Sequence, residues 1–215
     1  MQIIGTTDYC VQERSGITGT RPTKENSVSI ELEQTPALVV IDLQSGILGH
    51  PTAHPLETII GNSAKLAEAF RAKGLPVVLV NVAGTAPGRT ERGKASGRSG
   101  AQTLPAEATV LVPELNQQPS DITVTKRTLG AFLSTDLDAQ LKAVGATQIV
   151  LTGVSTTSGV ESTARSAYEL GYHVAFVTDA MSDNAEAHEA SIAHQFPKLG
   201  ELGTTAEVLA LLAAR

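Results

Sequence analysis

The chain has 215 residues, 41% hydrophobic and 18% charged, which suits one domain that buries its own core without a disulfide or a metal. Its formal net charge of −6 excludes the basic face that non-specific nucleic-acid binding needs, and no apolar run is long enough to cross a bilayer. The start of the chain lacks the basic and apolar stretches of a signal peptide, and the one cysteine, Cys10, leaves no intramolecular disulfide or thiolate metal cluster; a cytoplasmic protein is expected.

Residues 1–36 are rich in Thr, Ser and Gly and read as an irregular arm, with a short strand at 27–32, ahead of one domain spanning 37–215. Aromatics are only 3% of the chain, so the core is built from Ala, Val, Leu and Ile, as suits a buried parallel sheet. Residues 37–41 are a continuous apolar run ending at Asp42, the pattern of a strand buried on both faces. Leu56, Ile59, Ile60, Leu66, Ala67 and Phe70 then recur at helical spacing until Gly74 and Pro76 close the helix. A second strand is predicted at 77–80, followed by a Gly-rich stretch at 84–100 too polar to form an element. A third strand at 122–125 ends at Lys126; a helix at 135–144 stops at Gly145; a fourth strand covers 148–151. A helix from about 159 to Leu170 is stopped by Gly171, and a fifth strand covers 174–177. Helices at about 185–195 and 205–214 flank a short sixth strand at Glu201 and Leu202. Strands alternating with helices of about a dozen residues define a three-layer, doubly wound α/β fold, a parallel sheet of about six strands with helices on both faces.

In open α/β sheets, ligands bind outside the carboxyl ends of the strands. Strand one delivers Asp42 there, strand three delivers Lys126, and strand four delivers the turn Ser155-Thr156-Thr157-Ser158 before Gly159. An acid, a base and a helix N-terminus thus gather on one edge, the groups expected of a small-molecule site. The first N–H groups of a helix lack intrahelical partners and carry partial positive charge, so this turn can hold a carboxylate or an oxyanion, besides simple capping by its hydroxyls.

These segments also carry a resemblance. Leu38-Val39-Val40-Ile41-Asp42-Leu43-Gln44, the Lys126 segment with Gly130-Ala131-Phe132 and Thr135-Asp136-Leu137, and above all Val150-Leu151-Thr152-Gly153-Val154-Ser155-Thr156 with Val160-Glu161-Ser162-Thr163-Ala164-Arg165 resemble the isochorismatase-like superfamily of cysteine hydrolases. Asp179-Ala180 and Glu186-Ala187-His188 extend the likeness to the end of the chain. The resemblance implies that Asp42 and Lys126 are two of three catalytic residues. It also implies a cis peptide bond between Val154 and Ser155, in an oxyanion-binding turn to which Ser158 belongs. The third catalytic residue of the superfamily is a cysteine, and at its position stands Gly159, which offers no nucleophile. Isochorismatases of siderophore and phenazine pathways also carry glycine there and cleave the vinyl ether of isochorismate without a covalent intermediate. The turn itself resembles the amidohydrolase branch. Three readings are therefore open: a hydrolase with Asp42 as acid/base, a binding protein without turnover, and a C–N hydrolase whose cysteine has been replaced. A homo-oligomer acting on a small molecule is implied, with no cofactor and no metal.

The loop 84–94 is basic in an acidic chain and opens on the same edge, so Arg89 and Arg92 are candidates to clamp a carboxylate substrate. Gln44 and Phe132 complete the expected substrate contacts. His50 and His54 are four apart, but Pro51 and Pro55 disfavour the helix a metal site would need. His188 and His194 read as surface or packing residues of an amphipathic helix.

Overall fold

The apolar runs become strands buried on both faces. β1 (Pro36–Ile41) is buried along its whole length, and its side chains alternate between two core layers, as the pleat requires. In this computed structural model, which describes residues 30–48, 53–97 and 100–215, β1 is joined by β2 (Val77–Val82), β3 (Ile122–Lys126), β4 (Gln148–Val154), β5 (His173–Ser182) and β6 (Glu201–Gly203). All neighbours pair in parallel, in the order β3-β2-β1-β4-β5-β6. The chain winds outward from β1 to β3, then returns to lay β4 on the other side of β1.

The helices are α1 (Leu56–Ala72), α2 (Glu91–Ala95), α3 (Leu137–Ala143), α4 (Glu161–Glu169), α5 (Ala185–Ala190) and α6 (Thr205–Ala213). α1 buries Ile59, Ser63, Leu66, Ala67 and Phe70 along one helical stripe. With α6, it packs on Leu38, Val40, Leu79, Val150 and Ala175. α3 and α4 cover the opposite face, setting Leu137, Leu141, Ala164 and Ala167 on Val39, Ile41, Val80, Leu151 and Phe176. The three-layer, doubly wound architecture expected from the alternation is the one observed.

The differences have local causes. The polar stretch 84–100 does contain an element, the short helix α2, which is held by a Thr90 side chain accepting from the Gly93 N–H and buries no residue; apolar periodicity therefore could not reveal it. β4 and β5 run on to Val154 and Ser182, beyond their apolar runs, because polar Thr152 and Ser182 are themselves buried. α3 starts at Leu137 rather than 135, since the Thr135 hydroxyl accepts from the Leu137 N–H and donates to the Ala131 carbonyl. The helix expected at 185–195 is α5 followed by a π-helical turn, Ser191–Gln195.

Residues 27–29 of the strand expected at 27–32, and Cys10 with the rest of the arm, lie outside the described residues; residues 30–32 are not strand. Ile30 is instead a core residue, the Gln148 side chain bridges the Glu33 N–H and the Glu31 carbonyl, and Arg215 caps the carbonyls of Leu32 and Glu33. The packed structure therefore reaches back at least to Ile30, ahead of the expected start at 37. Among the described residues no helix is long and apolar enough to cross a membrane.

Candidate active site

The strand order reverses at β1, which lies between β2 and β4, and the crevice at the carboxyl ends of β1 and β4 is where such a fold binds ligands. Asp42 leaves β1 with φ 51°, a left-handed conformation that Asp tolerates better than most residues. Its N–H donates to the Val80 carbonyl and its own carbonyl accepts from Gln44, so the bend is held at both ends. Across the crevice Gly153 has φ 104°, and a Cβ there would stand 2.1 Å from the Ile41 carbonyl oxygen. Only glycine fits this approach of β4 to β1. The Val154–Ser155 peptide that follows is cis, as the resemblance implied, and a π-helical turn, Thr156–Val160, leads into α4.

The site is centred on an ion pair. Lys126 Nζ lies 2.7 Å from Asp42 Oδ2 and donates to the Thr128 carbonyl at 3.1 Å. Lys126 is 2% and Asp42 5% exposed. Asp42 Oδ1 is buried and has no hydrogen-bond partner among the described residues. Burial pushes the Asp42 carboxyl up to about 6, against the opposing charge and hydrogen bond of Lys126. Gly159 closes the other side: a Cβ there would meet Asp42 Oδ2 and the Val154 carbonyl oxygen, each at 3.2 Å. Asp42, Lys126 and Gly159, delivered by three separate segments, are thus brought together.

The turn is more internally committed than expected. The Thr157 N–H and hydroxyl both donate to Asp183 Oδ2, at 3.0 and 2.5 Å. The N–H groups of Ser158 and Val160 both donate to the Ser155 carbonyl. A cradle for an anion is therefore narrowed to the remaining N–H groups between Val154 and Gly159. Thr163, fully buried on α4, donates to the Gly159 carbonyl at 2.6 Å and accepts from the Ala131 N–H at 3.0 Å. It ties the turn to the loop that follows Lys126.

The four expected substrate contacts are differently engaged. Gln44 is fully buried and its amide is spent on backbone: Nε2 donates to the carbonyls of Val82 and Ala108, and Oε1 accepts from the Val82 N–H. It braces the 106–109 segment against β2. Phe132 packs on the α3–α4 core, its ring 5.9 Å from that of Tyr172, because its apolar ring is better covered there. Arg89 and Arg92 stand exposed on the loop, and among the described residues their side chains form no ion pair. His50 lies outside the described residues. His54 packs edge-on against His188, ring centroids 5.1 Å apart.

His188 itself, expected as a surface or packing residue, is 3% exposed, and its Nδ1 lies 2.8 Å from the Thr156 hydroxyl. Sequence reasoning missed it, together with Thr163 and Asp183, as parts of the site. The signal for His188 was its place in the Glu186-Ala187-His188 likeness; amphipathic spacing alone left surface and packing roles both open.

Fold and site define a doubly wound α/β protein whose ligand crevice holds a buried carboxylate–ammonium pair at the switch point of the sheet. The isochorismatase domain family matches residues 36–207. The isochorismatase family protein YwoC of Bacillus subtilis is 42% identical over 190 residues, covering 86% of this chain and 97% of its own. An isochorismatase family protein from Burkholderia thailandensis, of solved structure, superposes with a TM-score of 0.77 at 41% identity, over 85% of this chain and 97% of its own. Ureidoacrylate amidohydrolase RutB of Rhizobium rhizogenes is 29% identical over 195 residues, 79% of this chain and 78% of its own. The chain belongs to the isochorismatase family and is a hydrolase of that family.

Proposed function

We propose that this hydrolase cleaves a small carboxylate-bearing molecule without a covalent enzyme intermediate, the reaction being vinyl-ether cleavage of isochorismate to pyruvate and a dihydroxy-cyclohexadiene acid. The observation that carries the reading is Asp42: a buried carboxyl, one oxygen of which has no hydrogen-bond partner among the described residues, pushed up to about 6, beside a glycine that offers no nucleophile. A carboxyl tuned in this way holds its proton up to about pH 6, well above the ordinary carboxyl range, and can give it up to a reacting atom. Asp42 protonates the terminal vinyl carbon, water adds to the resulting oxocarbenium carbon, and the hemiketal collapses to pyruvate and the alcohol. The proton lost by the water restores Asp42. Lys126 orients the carboxyl, and the uncommitted N–H groups of the 154–159 turn receive a substrate carboxylate. The exposed Arg89 and Arg92 supply a basic approach for the same anion. The acidic composition and lone cysteine support a cytoplasmic setting, and the family resemblance supports a homo-oligomer.

The test is pyruvate release from isochorismate, coupled to lactate dehydrogenase, with Asp42→Asn as control. Release that vanishes in the control supports the reading, and no release overturns it. Hydrolysis of a C–N bond is the second reading, favoured by the likeness to an amidohydrolase. It predicts turnover on a panel of small amides and ureides, rising in Gly159→Cys.

A further inference from the structure

The turn that brings Gly159 to Asp42 is gripped from one side by the start of α5. Thr156, the first residue of the turn, is fully buried, and its hydroxyl meets His188 Nδ1 at 2.8 Å. The next residue, Thr157, is held through N–H and hydroxyl by Asp183. Asn184 caps α5 by accepting from Glu186, and the His188 N–H donates to the Asn184 carbonyl, so the imidazole projects from an anchored first turn. The His54 ring backs it edge-on. Burial and His54 hold the His188 imidazole below its ordinary pKa, against opposing influence from Asp183 and Glu189. A neutral ring is a fixed single partner for one hydroxyl.

We propose that His188 is a positioning residue of this hydrolase, fixing through Thr156 the turn that closes over Asp42. Its action is indirect, since it touches neither Asp42 nor Lys126. Gly159 follows Thr156 by three residues, and a Cβ built there would meet Asp42 Oδ2 and the Ile41 side chain. Releasing Thr156 lets the turn lift and water reach the carboxyl, whose proton affinity depends on exclusion of water. The proposal rests on Asp42 as the acid, yet it is measurable without any substrate.

Aspartate labelled with carbon-13 at the side-chain carboxyl reports each titration by NMR, and the Asp42 resonance is identified by its loss in Asp42→Asn. His188→Leu and Thr156→Val remove the bond; His188→Asn keeps a polar atom near the Nδ1 position, and Thr156→Ser keeps the hydroxyl. The Asp42 midpoint is expected to move from about 6 toward the ordinary 3.8 in the first two variants and to stay in the second two. Pyruvate release should lose kcat more than it gains KM in the same two. An Asp42 midpoint unmoved in Thr156→Val, with only a lower denaturation midpoint, overturns the proposal; this hydroxyl-to-methyl exchange keeps the fold testable should His188→Leu not fold. If the unmodified protein releases no pyruvate, the proposed reaction fails while the titration still decides the role of His188.

Discussion

Gly159 lies hard against Ile41: a Cβ built at position 159 stands 2.8 Å from the Ile41 Cγ2 methyl. A β-branched methyl in a strand is held by χ1 and cannot swing aside cheaply, and overpacking of this kind costs about 1–3 kcal/mol. Gly159→Ala and Gly159→Cys are expected to lower stability by about that amount. The penalty should shrink in an Ile41→Ala background, giving a favourable coupling in a double-mutant cycle read by urea denaturation. Strictly additive losses would show that the turn, rather than Ile41, absorbs the new atom.

The raised Asp42 carboxyl sets a pH profile. As the proposed acid it must carry its proton, so kcat/KM should hold below about 6 and fall about tenfold per pH unit above it. For stability the sign follows from linkage: the native state holds this proton more tightly than the unfolded chain. The contribution of Asp42 is therefore fully present below 3.8 and lost as pH rises through about 6. Unfolding free energies across this window should decline with pH more steeply in the natural sequence than in Asp42→Asn.

Lys126 supplies both influences that hold the Asp42 carboxyl down. Lys126→Met should move the Asp42 titration above 6, the opposite direction to loosening the turn. Breaking a buried pair commonly costs about 3–5 kcal/mol, because the surviving charge is stranded. Here Asp42 can escape by taking up a proton, so the loss should be larger at pH 8 than at pH 5. Equal losses at both would mean that the carboxyl does not neutralise.

The sheet was legible because four apolar runs and the alternating Ile122-Thr123-Val124-Thr125, set among helical patterns, admit few other folds, and Asp42 and Lys126 were legible because they directly follow two of these segments. The bond from His188 to Thr156 was not, since amphipathic spacing fixes which face of a helix is buried but not which atom a buried polar group meets. α2 escaped because polar interactions hold it, the Thr90 cap and the Glu91–Lys94 pair among them, with no apolar stripe to mark it. The place of Gln44 was not legible for a related reason: the first-strand likeness names the residue but not its partners, and the bend at Asp42 turns its amide onto the backbone of Val82 and Ala108.

That placement yields a discriminating experiment. Gln44→Leu strands the Val82 N–H and takes one donor from the carbonyls of Val82 and Ala108, the latter keeping the Gly46 N–H; a buried unsatisfied group costs about 1–3 kcal/mol. Gln44→Glu keeps the shape but, as a carboxylate, cannot donate to the carbonyls of Val82 and Ala108. Both variants should therefore melt lower than the natural sequence, with kcat reduced as the 106–109 segment loosens and KM little changed. A substrate-contacting amide would give the reverse, a raised KM at preserved stability. Thermal denaturation and steady-state kinetics on the same two proteins separate the outcomes, and a raised KM alone would return Gln44 to the substrate.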